Sequence, residues 1–97
     1  MKISFHESLT SDANEIIDYY TMIAPRLGKA FRSEMMATIK TLPEMPERWP
    51  ELENGVRQIT LTQFPYLIYY RILSESHIRI TSIKHQKRES NLNRERS

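Results

Sequence analysis

The stretch FPYLIYYRI, residues 64–72, decides how this chain folds. Read as a strand, it sends Tyr66, Ile68, Tyr70 and Ile72 to one side and Leu67, Tyr69, Arg71 and Leu73 to the other, because successive side chains alternate across a sheet. Both sides carry large apolar residues, which predicts a central strand covered on both faces. One face is expected to meet helices. The other sets Tyr69 and Arg71 between leucines, a mixed apolar and cationic surface of the kind that carries something on it. Pro65 is tolerated because it opens the strand, where its missing N–H is not needed by the ladder. The run of rings also raises a base-stacking platform, but that needs aromatics at matching height on neighbouring strands. The neighbours, VRQITL (56–61) and HIRITSIKH (77–85), carry no ring other than histidine. A core strand with one recognition face is the better reading.

Those neighbours alternate with period two and are joined to it by the short turns TQFP and SES, so the three form an antiparallel meander. Upstream the period changes. Leu9, Ala13, Ile16, Ile17, Tyr20 and Ile23 mark one face of a helix, with Asp12, Glu15 and Asp18 mostly opposite; Ser8, Thr10 and Ser11 offer caps for its start. Pro25 closes this helix or opens the next, in which Leu27, Phe31, Met35, Ile39 and Leu42 form a second stripe ending before Pro43. Gly28 reads as a mild weakness in it. Two stripes with almost no connection imply an antiparallel helical hairpin whose apolar face needs a sheet. LPEMPERWPELENG, residues 42–55, is irregular, with Trp49 expected as a packed anchor at the core's edge. KISF, residues 2–5, reads as a first short strand. The expected fold is α+β in the order β-α-α-β-β-β, a helical hairpin packed on a small twisted antiparallel sheet, followed by a polar basic C-terminal tail with the makings of a short helix.

The 97 residues suit one domain, with the basic tail at 84–97. A content of 39% hydrophobic and 27% charged residues is that of an ordinary soluble chain. No apolar run approaches the roughly 18 residues of a membrane span, and no signal-peptide pattern opens the chain. With no cysteine, disulfides and cysteine-ligated zinc are excluded, and His6 and His77 stand singly; no metal, cofactor or small-molecule ligand is expected. A cytoplasmic setting follows as an expectation. The net charge of +2 is uneven: Lys84, Lys87, Arg88, Arg94 and Arg96 against Glu89 and Glu95 give the tail +3 and leave the rest at −1. Any cationic footprint must therefore come from the tail and from what folds beside it.

The helical pair with DYY (18–20), the PERWPELENGVR segment, FPYLIYYRI and IKHQKR (83–88), in this order and spacing, resemble the RelE/ParE superfamily of type II toxin–antitoxin toxins. The resemblance runs from Ile3 to about Arg94. It implies a cognate antitoxin that neutralises the toxin by wrapping an extended or helical segment over the sheet and helices, with Leu67, Tyr69, Arg71, Lys84, Lys87 and Arg88 as candidate antitoxin-binding or target-binding residues. It also implies one of two activities. RelE-like members cleave mRNA on the ribosome; ParE-like members bind DNA gyrase.

Metal-free RNA cleavage demands a base for the 2′-OH, an acid for the leaving oxygen and cations around the phosphate. If the chain is RelE-like, His85, Arg57, Arg71 and Arg88 are the catalytic candidates, converging at one end of the sheet. The plainer reading gives His85 a backbone hydrogen bond at a strand end, and Arg57 and Arg88 ion pairs with Glu51, Glu53 or Glu89. Departures from the nuclease pattern favour the plainer one: Leu67 stands where those enzymes usually carry an arginine, VRQITL has one cation where theirs is lysine-rich, and NLNRERS lacks the usual C-terminal aromatic. The expected function is a toxin that inhibits DNA gyrase by protein–protein contact. The alternatives are a ribosome-dependent mRNA endoribonuclease, with ribosome and mRNA as partners, and a degenerate member that binds its antitoxin but poisons nothing.

Overall fold

The computed structural model describes residues 1–87. The helical hairpin forms as the apolar spacing dictates. Helix α1 spans Leu9–Ile23 and α2 spans Pro25–Thr41, separated by Ala24 alone. Pro25 opens α2, where its fixed φ suits the first turn and its missing N–H has no partner to lose. The capping expected of α1 is not found. Ser8 makes no side-chain bond to the helix start. Its hydroxyl instead lies 2.9 Å from His6 Nδ1, and its amide donates to the same nitrogen at 3.1 Å.

Gly28, read from sequence as a weak point, is where the helices touch. A Cβ there would lie 1.9 Å from Thr21 Oγ1 and 3.1 Å from the Ile17 carbonyl oxygen, so only glycine admits this approach.

The strands are β1 (Lys2–Phe5), β2 (Val56–Thr60), β3 (Tyr66–Ser74) and β4 (His77–His85), in the spatial order β1-β4-β3-β2. β2, β3 and β4 form the expected antiparallel meander. The sheet as a whole is mixed rather than antiparallel, because β1 pairs parallel with β4, from Lys2 opposite His77 to Phe5 opposite Ile80. A parallel partner requires a long crossover, and the chain does not return to the sheet until β2, at the far edge. β3 and β4 are thereby both central.

Leu9, Ala13, Phe31, Met35, Ile39 and Leu42 pack against Ile59, Ile68, Tyr70, Ile78, Ile80 and Ile83. Tyr70 and Phe31 are fully buried. The core-facing isoleucines of β4 pass from even to odd numbers, which strict alternation forbids. A β-bulge resolves this: Tyr70 pairs with Ile80 but Tyr69 with Ser82, leaving Thr81 as the extra residue, its hydroxyl donating to the Tyr69 carbonyl at 3.2 Å.

Candidate functional site

Two surfaces hold the chemistry: the side of the sheet away from the helices and the rim formed by residues 42–55. The rim is tied down by side chains from β2 and β3. Arg57 donates from Nη1 to the Trp49 carbonyl at 2.7 Å and to the Glu47 carbonyl at 3.4 Å, and its Nη2 pairs with Glu51 Oε1 at 3.3 Å. The fork geometry of guanidinium suits this threefold task. The Tyr70 hydroxyl donates to the Pro46 carbonyl at 2.6 Å. Burial pushes that hydroxyl's pKa up, against the lowering effect of the nearby Arg57 charge. Arg71 donates from Nη1 to the Asn54 carbonyl. That carbonyl sits in a tight turn where Asn54 (φ 60°) and Gly55 (φ 75°) both take left-handed backbone. Trp49 packs half-buried against the core, as expected, with the Arg48 guanidinium 5.2 Å from its ring centroid.

The strand register decides whether the catalytic candidates meet. His85 lies opposite Tyr66, Arg57 opposite Tyr70, and Arg71 opposite Val56. From Tyr66 to Arg71 is five residues of strand, or about 17 Å at ~3.3 Å each. Tyr66, Tyr70 and their partners His85 and Arg57 share the helix side, whereas Arg71 has the opposite parity and faces away. The expected convergence of Arg57, Arg71 and His85 at one end of the sheet does not occur, and Arg88 lies outside the described residues.

His85 closes an aromatic cluster. Its ring meets that of Tyr66 edge-on at 5.1 Å, Tyr66 meets Phe31 at 5.4 Å, and Tyr20 meets Phe64 at 4.8 Å. Burial, and then the neighbouring Tyr19, pushes the Tyr20 hydroxyl's pKa up. Nδ1 of His85 accepts the amide N–H of Lys87 at 3.1 Å, which assigns the neutral ring's proton to Nε2. The strand-end histidine bonded to backbone, and the Arg57–Glu51 pair, are thus both present.

The side away from the helices pairs Leu67 with Lys84, Tyr69 with Ser82 and Arg71 with Arg79, with Ser4 beside Arg79 on β1. None of the four strands contains an aspartate or glutamate. Arg79 was not singled out from the sequence. Its signal was there: it stands two residues from His77 on the non-core parity of β4, facing Arg71 across the ladder. The expectation that Tyr69 is exposed is corrected. Tyr69 and Leu67 are only 5% and 8% exposed, although neither belongs to the cluster against the helices. Arg71, Arg79 and Lys84 are half-buried, and Lys87 is exposed. Among the described residues no group of three or more His, Asp or Glu could hold a metal, and no helix is long and apolar enough to cross a membrane.

The family model described as "ParE toxin of type II toxin-antitoxin system, parDE" matches residues 3–90. A sequence search of curated proteins gives no match. Among solved structures, the chain is similar to a chromosomal ParDE system from P. aeruginosa, with a TM-score of 0.75 and 22% identity over 88% of this chain and 95% of that one. It is also similar to the intact E. coli RelBE toxin–antitoxin complex, with a TM-score of 0.65 and 16% identity over 87% of this chain and 94% of that one. For the isolated E. coli RelE toxin the TM-score is 0.62, with 17% identity over 87% of this chain and 82% of that one. At such identities the structural likeness speaks for the fold alone; the family match spans nearly the whole chain. Two helices on a meander, a rim strapped to the sheet and a carboxylate-free set of strands are therefore the form that this sequence gives to a member of the ParE toxin family of type II toxin–antitoxin systems.

Proposed function

We propose that this chain is a toxin that acts by protein–protein inhibition, with DNA gyrase as its target, and that a cognate antitoxin silences it by docking on the sheet side where Arg71 and Lys84 stay half-exposed around the buried Leu67 and Tyr69. The observation that carries this reading over mRNA cleavage is the dispersal of the groups a nuclease would gather. Arg57 is spent on two loop carbonyls and Glu51. His85 already accepts a backbone N–H at Nδ1. Arg71 faces away from both. Proton transfer at a phosphodiester needs its acid, base and cations within hydrogen-bond reach of one substrate. Strands with cations and no carboxylates suit a partner segment that brings acidic and apolar side chains, and a segment that folds on binding can cover a wide area despite its ordering cost.

Purified protein added to gyrase is expected to make cleaved DNA accumulate or supercoiling fall. Unchanged gyrase at micromolar toxin rejects the target. In a translating extract, transcripts are expected to stay whole; codon-phased cuts abolished by His85→Ala or Arg88→Ala would replace this reading with the ribosomal one.

A further inference from the structure

The outer surface of the helical hairpin carries a charge pattern that nothing else in the fold uses. Helix α1 holds Asp12, Glu15 and Asp18 and no cation; α2 holds Arg26, Lys29, Arg32 and Lys40. The one carboxylate of α2, Glu34, is occupied by the Thr62–Gln63 turn. None of these stripe residues makes an ion pair with a described residue, so the acidic and basic stripes lie side by side without neutralising one another. Large apolar side chains stand among them: Met22 is 87% exposed, Tyr19 60% and Met36 38%. At 3.6 residues per turn, Glu15, Asp18 and Met22 share the side of α1 opposite Leu9, Ala13 and Tyr20. Lys29, Arg32, Met36 and Lys40 likewise share the side of α2 turned from Phe31.

We propose that this face is a self-association surface, occupied by a second copy of the chain. A two-fold axis running along the hairpin lays α1 over the partner's α2, and by symmetry α2 over the partner's α1. The heights match. Gly28 sits against Ile17 and Thr21, which fixes the axial register of the hairpin. At 1.5 Å of rise per residue, Asp18 then stands within about 2 Å in height of Lys29, and Glu15 within about 2 Å of Arg32. Each pairing occurs twice across the axis. The complementarity selects this occupant: an acidic partner would suit α2 but be repelled by α1, a basic partner the reverse, whereas the inverted copy satisfies both. Two helices about 25 Å long and about 10 Å apart offer roughly 500 Å² per copy, near the lower bound for a specific interface, so the dimer is weak and sensitive to concentration and salt.

The test is sedimentation equilibrium of the full chain at low and high salt, with two variants. Glu15→Lys/Asp18→Lys makes both stripes basic; Lys29→Glu/Arg32→Glu makes both acidic. Each variant alone is expected to weaken self-association about tenfold or more. Their equimolar mixture regains complementarity and is expected to return to the parent's affinity as a heterodimer. The uncharged change Met22→Ala/Met36→Ala is expected to weaken the dimer while leaving its salt dependence intact. Circular dichroism melts confirm that each variant folds. A parent that stays monomeric at every concentration, variants that associate as the parent does, or a mixture that fails to recover overturns the proposal. So does a monomeric parent whose α1 and α2 reversals abolish binding of a purified antitoxin, since the face then belongs to that protein.

Discussion

The helical hairpin and the irregular segment 42–55 both rest on the sheet, yet they are attached by opposite physics. The hairpin is held by burial: Phe31, Met35 and Ile39 from one helix and Leu9 and Ala13 from the other meet the strand isoleucines, and Gly28 sets the spacing between helices. The segment 42–55 is held largely by direction, through Arg57, Tyr70 and Arg71 donating to the carbonyls of Glu47, Trp49, Pro46 and Asn54. Leu42 and Trp49 are its apolar contacts with the core. Apolar burial tolerates a change of shape better than a loss of volume. A strap of hydrogen bonds has the reverse sensitivity, because one lost donor leaves carbonyls without partners.

The hardest strike on the first region is Phe31→Ala. Phe31 is fully buried and in ring contact with Tyr20, Phe64 and Tyr66, so truncation is expected to cost about 3–5 kcal/mol, read as a fall in the denaturation midpoint. A cost below about 1 kcal/mol would mean that the helices are not held by that core. In the second region the corresponding change is Arg57→Ala, which removes contacts to two carbonyls and Glu51 for an expected loss of about 1.5–3 kcal/mol. Faster proteolytic cutting within 42–55 should accompany it, without matching exposure of the helices; cutting in both regions at equal rate would abolish the distinction.

Gly28→Ala sharpens the comparison because two effects oppose each other. Helix propensity favours alanine by about 1 kcal/mol, whereas overpacking costs about 1–3 kcal/mol. Thr21 is β-branched and its hydroxyl is already bonded to the Ile17 carbonyl at 2.7 Å, so the clash should win and the variant should melt lower. A higher melting point would show that the helices can separate freely.

The smallest effect is expected where a helix borrows the second kind of attachment. Glu34 of α2 accepts the Thr62 hydroxyl at 2.7 Å, the Thr62 amide, and the Gln63 amide at 3.0 Å. Burial alone would raise its pKa, but the hydroxyl and amide bonds prevail and hold it below the usual glutamate value. A folded-state pKa below the unfolded one gives stability that is present above the unfolded value and lost as pH falls through the folded one. Denaturation profiles should therefore lose stability on the acid side of the normal carboxylate range, and Glu34→Gln should flatten that limb. An unchanged limb in the variant would release Glu34 from this role.

The legible parts of the molecule were those in which neighbours in sequence dictate the answer. The stripes Leu9–Ala13–Tyr20 and Phe31–Met35–Ile39 announced the helices, and the alternation through Tyr66, Ile68 and Tyr70 announced the central strand. The crowd of tyrosines that suggested a stacking surface is divided by parity: Tyr66 and Tyr70 turn inward to the helices. Gly28 was misread because its reason is a contact between helices. The bulge at Thr81 was legible in principle, since Ile78 and Ile80 are followed by Ile83, but only pairing with Tyr69 and Tyr70 shows how the slip is absorbed. Of the candidate site, the sequence supplied the cations but not their register, so it could gather Arg57, Arg71 and His85 where the sheet separates them.

By itself the amino-acid order determined the elements, their sequence along the chain, the acidic side of the first helix and the family to which they point. These follow from periods of two and 3.6 residues, which are local properties of the backbone. The tertiary structure alone decided that β1 joins parallel to β4, that Gly28 is a contact point, that Arg57 is a strap rather than a phosphate ligand, and which side of the sheet is left to Arg71, Arg79 and Lys84. Those outcomes depend on pairing between residues distant in sequence, and no local period encodes which partner a strand edge, a guanidinium or a glycine will meet.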